Sequence, residues 1–122
     1  MAITTKWSVI NMTRVNADGG VIQVNWELIA QSDTGDKEAA IEGGKNKFTY
    51  DASASGFIKY DDLKESDVLG WIYEANKGGA SNGPDNETAD EYKARIETER
   101  TAKVQAQIDR KAAQSDGLPW SV

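Results

Sequence analysis

The sequence contains neither cysteine nor histidine among its 122 residues, and each absence excludes a class of chemistry. Without cysteine there is no disulfide framework, no thiolate nucleophile and no cysteine metal site, which is consistent with a reducing cytoplasm. Without histidine, the usual general base near neutral pH and the commonest transition-metal ligand are both missing. We therefore expect that the protein is not an enzyme, takes no cofactor and binds no metal ion.

Basic residues and long apolar runs are also scarce. Lys and Arg number 14 against 20 Asp and Glu, which gives a net charge of −6. Such a surface repels a phosphate backbone, and this argues against nucleic acid as a partner. No apolar run approaches the roughly 20 residues that a membrane span needs, and residues 1–6 show no secretion signal. We therefore expect synthesis in the cytoplasm and no membrane partner.

Three patterns resemble ligand-binding or catalytic motifs, but each lacks a necessary part. Gly43-Gly44-Lys45 lacks the first glycine of a phosphate-binding loop, and Asn46 replaces the Ser or Thr that would hold magnesium. The acidic residues around 33–36 and 61–67 do not match a calcium-binding loop. Paired carboxylates can hydrolyse glycosides, yet no pattern places two of them in an apolar cleft. We interpret all three as ordinary loop and helix-start residues.

Alternating apolar and polar residues predict β-strands in the first half of the chain. A first strand contains Trp7 and Val9 and changes face near Ile10, which indicates a bulge. The segment 16–20 ends in Asp-Gly-Gly, which predicts a hairpin turn. The second strand has these residues on its inward face: Ile22, Val24, Trp26, Leu28 and Ala30.

Two further short strands are predicted around 39–43 and 47–51, joined by a turn at 43–46. Together with the first two they would form a four-stranded antiparallel meander. We expect residues 1–76, which include these strands and one helix, to form the core domain by themselves.

The helix of this domain has an apolar stripe that includes Val68, Leu69 and Ile72, and acidic residues at its start suit the helix dipole. Gly70 lies in its middle, where glycine costs about 1 kcal/mol against alanine. We therefore expect close packing at Gly70.

The segment 77–88 is rich in Gly, Ser and Asn, which predicts a surface linker. Thr88 with Glu91 three residues later predicts a capping box at the start of a helix over 89–114. This helix is mostly polar, and its few large apolar residues do not form one straight stripe: Tyr92, Ile96, Val104 and Ile108. We expect it to contribute little to the stability of the core and to offer these four residues to a partner.

The predicted fold class is therefore α+β, a small antiparallel β-meander packed by one helix and followed by a linker and a long, mostly polar C-terminal helix. Residues 115–122 form a tail in which Leu118 and Trp120 are apolar anchors set by Pro119. Docking of Trp120 within its own fold and docking on another chain are both compatible with this pattern. We predict that Leu118, Pro119 and Trp120 dock on a neighbouring chain.

The aromatic residues of the first 76 positions admit two interpretations. They are Trp7, Trp26, Phe48, Tyr50, Phe57, Tyr60 and Trp71. They could line a ligand groove or a stacking surface, but in a small domain such residues usually form the core. We interpret them as core residues.

Several motifs in this order carry a family resemblance: Lys6-Trp7-Ser8-Val9, Asp18-Gly19-Gly20-Val21, the segment 56–63, Val68-Leu69-Gly70-Trp71-Ile72, Gln107-Ile108 and Gly117-Leu118-Pro119-Trp120. Over nearly its whole length the chain resembles a family of short tailed-phage proteins, frequent in phages of marine and cyanobacterial hosts and called virion structural proteins. The resemblance implies a particle component without catalytic residues, in either the head or the tail.

Our first hypothesis is an accessory virion protein that decorates or cements the capsid exterior. The expected partners are other virion proteins, either the major capsid protein or tail and neck proteins, and self-association stays open. A second hypothesis is a neck, baseplate or tail-fibre adaptor. A third, of another class, is an intracellular phage protein that binds a host factor. For the first two, the expected location is the virion after synthesis in the host cytoplasm.

Overall fold

The computed structural model describes residues 2–33, 37–114 and 119–120. Within these residues three strands form one antiparallel sheet in the order β1-β2-β3. The elements are β1 (Ile3–Arg14), β2 (Val21–Ser32), β3 (Ala39–Lys47), a 3₁₀ helix (Tyr60–Asp62), α1 (Glu65–Asn76), a second 3₁₀ helix (Gly78–Ser81) and α2 (Ala89–Ala113). The predicted α+β class, with a β-meander before a long C-terminal helix, is confirmed.

Strands β1 and β2 form the predicted hairpin. The backbone N–H of Gly19 donates to the carbonyl of Val15 at 2.8 Å. Gly19 has a φ of 76°, a conformation that glycine adopts without steric cost. The pairing with β2 shifts between Val9 and Asn11, which leaves Ile10 as the extra residue of the predicted bulge.

The prediction of a fourth strand is wrong, because β3 runs without a turn through Gly43 and Gly44. Gly44 pairs with Trp26 of β2, and a Cβ atom on Gly44 would lie 2.6 Å from the indole ring. Gly44 therefore makes room for a ring across the sheet instead of forming a turn. Beyond β3, Phe48 adds one bond to the sheet, since its N–H donates to the carbonyl of Ile22 at 2.9 Å.

One face of the sheet is buried and corresponds closely to the predicted inward face. Of the five residues predicted there on β2, four are buried: Val24, Trp26, Leu28 and Ala30. Ile22 is instead 37% exposed, and Val21 is buried beside these four. The pairing shifts a second time between Thr13 and Arg14, next to the hairpin, and this interrupts the alternation at the start of β2.

Both helices cover this face, which corrects the expectation that α2 adds little to the core. The main core cluster contains Trp7, Val21, Val24, Trp26, Leu28, Val68, Ile72, Tyr92 and Ile96, and the last two belong to α2. A second cluster contains Ala30, Ala40 and Val104, with Ile3 and Ile108 packed against it. Helix α1 alone is too short to cover the sheet, because the 12 residues of β2 span about 36 Å whereas the 12 residues of α1 span about 18 Å.

The segment between the helices is held in place, unlike the linker expected there. The carboxylate of Glu87, whose side chain is only 3% exposed, pairs with Arg95 of α2 at 2.7 Å. The same carboxylate accepts the N–H of Gly78 at 2.9 Å. The hydrogen bond from Arg95 lowers the pKa of Glu87. These contacts tie the connection to α2.

Gly70 does not pack closely against another element, contrary to expectation. It lies exposed on α1, and a Cβ atom added there would meet nothing within 4 Å. The predicted start of α2 is confirmed, because the Glu91 N–H donates to Thr88 Oγ1 at 3.1 Å and the Thr88 N–H donates to Glu91 Oε1 at 2.9 Å.

Candidate interaction surface

The predicted docking residues of the tail include one largely exposed aromatic side chain. Pro119 and Trp120 are both exposed, and Trp120 is 77% exposed. Leu118 lies outside the described residues. Docking by all three residues stays a prediction, which we develop below.

The other four predicted docking residues lie against the chain's own sheet. Tyr92, Ile96 and Val104 are buried in the two clusters, and Ile108 is partly buried beside the second cluster. These residues lie at different angles around the helix axis, and the clusters that bury them lie at different positions along β2. The expectation that they face a partner is corrected, since this fold leaves their side chains inside the chain.

Polar contacts fix where α2 ends relative to the sheet. Gln107 Nε2 donates to the carbonyl of Ala39 at 3.0 Å, and Lys111 Nζ lies 3.3 Å from a carboxylate oxygen of Glu38. Both partners lie at the start of β3, next to the end of β2. The tail therefore follows α2 from this end of the sheet.

An apolar cleft lies at the opposite end of the sheet. Its volume is about 290 Å³, and its main walls are Val21, Phe48, Tyr50, Phe57, Leu63 and Trp71. The rings of Tyr50 and Phe57 are stacked, with centroids 5.8 Å apart and planes inclined by 22°. Phe48 meets Trp71 edge to face, with centroids 6.0 Å apart. We call this the aromatic cleft.

The segment between the two stacked rings folds through tight turns, and Ala54 and Gly56 of this segment line the aromatic cleft. The Asp51 carboxylate accepts the N–H of Ser53 at 2.9 Å and its hydroxyl at 2.6 Å, and these bonds lower the pKa of Asp51. The Phe57 N–H then donates to the carbonyl of Ala54 at 3.1 Å. These tight turns bring Phe57 back to the ring of Tyr50.

The β1–β2 hairpin holds one wall of the cleft in position. Tyr50 Oη donates to Asp18 Oδ1 at 2.7 Å, which lowers the pKa of Asp18 and raises the pKa of Tyr50. The Tyr50 ring lies directly over Gly20, where any Cβ atom would overlap it. The ring therefore has a fixed place, and this part of the cleft is already formed in the single chain.

A second, polar groove of about 480 Å³ lies between β3 and the start of α2. Trp26 Nε1 donates to Asn46 Oδ1 at 2.8 Å on its floor. The side-chain amides of Asn46 and Asn76 donate to each other at 3.2 and 3.0 Å. These polar groups bond to one another within the chain, which gives the groove a structural role.

The face of the sheet opposite the helices carries both apolar and basic side chains. Ile41 is 57% exposed and pairs across the sheet with Ile29. Lys6, Lys45 and Lys47 occupy positions on the same face, given the alternation along each strand. Ile41 is therefore an exposed apolar residue on the face of the sheet opposite the helices, and it does not line the aromatic cleft.

The described part of the chain offers neither a cluster of carboxylates for a metal ion nor a helix that could span a membrane. No group of three or more Asp and Glu side chains there is arranged to hold a metal ion. Within residues 2–33, 37–114 and 119–120, no helix is long and apolar enough to cross a membrane.

The interpretation of the aromatic residues as core residues holds for most of them. Trp7 and Trp26 are buried in the main core cluster, and Phe48, Tyr60 and Trp71 are partly buried and pack against it. Phe48 and Trp71 also line the aromatic cleft, together with Tyr50 and Phe57. One signal for a cleft was present, the run Ala52-Ser53-Ala54-Ser55-Gly56 between two aromatic residues. Such small side chains cannot fill the space beside the rings.

No curated protein and no solved structure matches the chain. A family pattern does match, and it extends over residues 2–120, which include β1 to β3, both α-helices and the exposed Trp120. The chain therefore belongs to the family described as Domain of unknown function (DUF7936).

Proposed function

We propose that this protein is a non-catalytic structural component of a tailed-phage virion, an accessory protein that decorates or cements the capsid exterior. The observation that carries the proposal is the exposure of Trp120 after a helix whose own large apolar residues already pack against the sheet. Tryptophan is among the residues that most often dominate protein–protein binding energy. An exposed tryptophan with an adjacent proline is suited to docking on a larger assembly.

The end of α2 supports this role because it is fixed to the sheet. The contacts of Gln107 with Ala39 and of Lys111 with Glu38 hold the last turns of the helix. A tail that leaves a rigid element at a defined point loses less conformational freedom on docking than a tail on a mobile one. The sequence motifs resemble those of tailed-phage virion proteins, and this resemblance favours a phage particle as the assembly on which Trp120 would dock.

Copy number in purified particles distinguishes this proposal from its alternatives. Quantitative mass spectrometry should find the protein in the hundreds of copies typical of a capsid component. A few copies per particle would favour a neck, baseplate or tail-fibre adaptor. Absence from particles would refute the virion assignment and favour an intracellular protein that binds a host factor.

Incorporation of a Trp120→Ala variant tests the docking residue. We expect this variant to be lost from particles while its melting temperature stays unchanged, because Trp120 is exposed in the single chain. Ile41→Ala is the matched control, since it removes another exposed apolar side chain, on the face of the sheet opposite the helices. Normal incorporation of Trp120→Ala together with a lower melting temperature would assign Trp120 to its own fold and refute docking.

A further inference from the structure

We propose that Trp120 of one copy of this chain binds in the aromatic cleft of a second copy. This inference rests on the docking role of Trp120 in the proposed function and deepens it by naming the partner. Three observations carry it: the size and chemistry of the cleft, the exposure of Trp120, and the distance between the two.

The cleft has the size and lining that suit one aromatic side chain. Its volume of about 290 Å³ lies at or below the range of about 300–1,000 Å³ in which drug-sized ligands bind. Tyr50, Phe57 and Trp71 offer both ring faces and ring edges, which are the surfaces that aromatic side chains prefer to contact. A single indole ring fits this description better than a cofactor does.

The cleft and the tail also match in their polar groups. A buried indole N–H needs an acceptor, and Asp51, which has both carboxylate and backbone oxygens, is among the residues that line the cleft. Pro119 has no backbone N–H, so one fewer donor must leave water when the tail docks. The tail therefore loses few hydrogen bonds with water when the Trp120 ring enters the cleft with Pro119 next to it.

The tail of a single copy is too short to reach its own cleft. Val21 at the cleft and Ser32 at the other end of β2 are 11 residues apart, which corresponds to about 36 Å. Helix α2 ends beside Glu38, next to Ser32. From Gln114 to Trp120 there are six residues, which span at most about 21 Å when fully extended. A Trp120 ring that binds in this cleft must therefore come from another copy.

Sedimentation velocity on the full chain tests the proposal with two kinds of variant. Trp120→Ala removes the inserted ring, whereas Ala54→Leu fills the cleft from an exposed position without removing a core side chain. We expect wild type to self-associate and each variant to do so at least about 30-fold more weakly. Ile41→Ala, which alters the sheet face opposite the helices and does not line the cleft, should associate like wild type.

A mixture of the two variants gives the sharpest test, because each retains the surface that the other lacks. Ala54→Leu keeps Trp120, and Trp120→Ala keeps an open cleft, so the mixture should form a complex that neither variant forms alone. A synthetic peptide of residues 114–122 should also bind the Trp120→Ala protein and not the Ala54→Leu protein. Melting curves of both variants establish that they are folded.

Three results would overturn the proposal: a wild-type protein that stays monomeric, a Trp120→Ala variant that associates like wild type, or a mixture that forms no complex. The outcome is separable from that of the proposed function. If the isolated protein is monomeric but Trp120→Ala is lost from particles, Trp120 binds a different virion protein and only this inference fails. If the protein associates through Trp120 but is absent from particles, only the virion assignment fails.

Discussion

Helix α2 packs on the sheet through two apolar clusters that differ in composition. The main cluster, near the start of α2, combines large side chains from β1, β2, α1 and α2. Trp7 is central to it, with ring centroids 4.9 Å from Tyr73, 5.6 Å from Trp26 and 6.2 Å from Tyr92. The second cluster has only Val104 between the small residues Ala30 and Ala40, with Ile3 and Ile108 beside it.

Polar side chains of α2 also bond to β3 beside the second cluster. Arg100 Nη1 donates to the carbonyl of Ile41 at 3.4 Å, and Gln107 Nε2 donates to the carbonyl of Ala39. Both carbonyls lie on the free edge of β3, and covering an edge in this way blocks unwanted strand pairing. The polar character of α2 is therefore explained in part by a sheet edge that needs hydrogen-bond donors.

Truncation after Asn76 should have the largest effect on this arrangement. It removes Tyr92, Ile96 and Val104, and each buried side chain of this size contributes about 1.5–3 kcal/mol. Their sum is comparable to the whole stability of a domain, about 5–15 kcal/mol. We expect residues 1–76 to show no cooperative unfolding transition in urea. A cooperative transition would instead restore the prediction that this segment forms the core by itself.

Within the main cluster, Tyr92→Ala should destabilise the protein by about 3–5 kcal/mol, because a large buried ring is replaced by a cavity. Chemical denaturation monitored by circular dichroism measures this change. A loss of stability smaller than that caused by Val104→Ala would contradict the expectation that the main cluster stabilises the fold more than the second cluster does.

Tyr92→Phe is the matched control, since it keeps the ring and removes the phenol group. Burial raises the pKa of Tyr92 to about 12 from the ordinary value of 10.0. Because the pKa in the folded state is higher, stability is complete below pH 10 and is lost as the pH rises towards 12. Tyr92→Phe should retain most of the stability at neutral pH and lose less than wild type in this alkaline window.

In the second cluster, Val104→Ala should cost about 2 kcal/mol, from two lost methyl groups and a small cavity. The contacts of Arg100 and Gln107 remain, so we expect α2 to stay helical and the unfolding transition to stay cooperative. Hydrogen exchange of the amides after Val104 measures whether the end of the helix loosens. Unchanged protection there combined with unchanged stability would show that polar contacts alone hold this part of α2.

Gly70→Ala should give the smallest effect and the opposite sign, a stabilisation of about 0.5–1 kcal/mol. Gly70 is exposed in α1, outside both clusters, and a Cβ atom there contacts nothing. Thermal denaturation measures the gain. A destabilisation would restore the prediction that another element packs closely at Gly70.

The sequence alone predicted those structural features whose determining residues are neighbours in the chain. The hairpin at Gly19, the bulge at Ile10 and the capping box of Thr88 with Glu91 were all predicted. Each depends on backbone conformation or on a hydrogen bond across three residues, and the relevant residues are visible in one short window. The α+β class follows from the change between the alternating pattern and the helical one.

Tertiary structure decided the features that depend on residues distant in sequence. Gly43 and Gly44 lie within a strand because the ring of Trp26, 18 residues before Gly44, needs the space above Gly44. Val104 is buried because Ala30 and Ala40 on two strands leave a shallow site for it.

The aromatic cleft is likewise a product of the fold, because its walls come from β2, from the loop after β3 and from α1. The composition of the chain determined that aromatic rings would need burial. Which rings fill the core and which border an open cleft depends on how the elements pack, since burial is set by neighbours in space and not by neighbours in sequence.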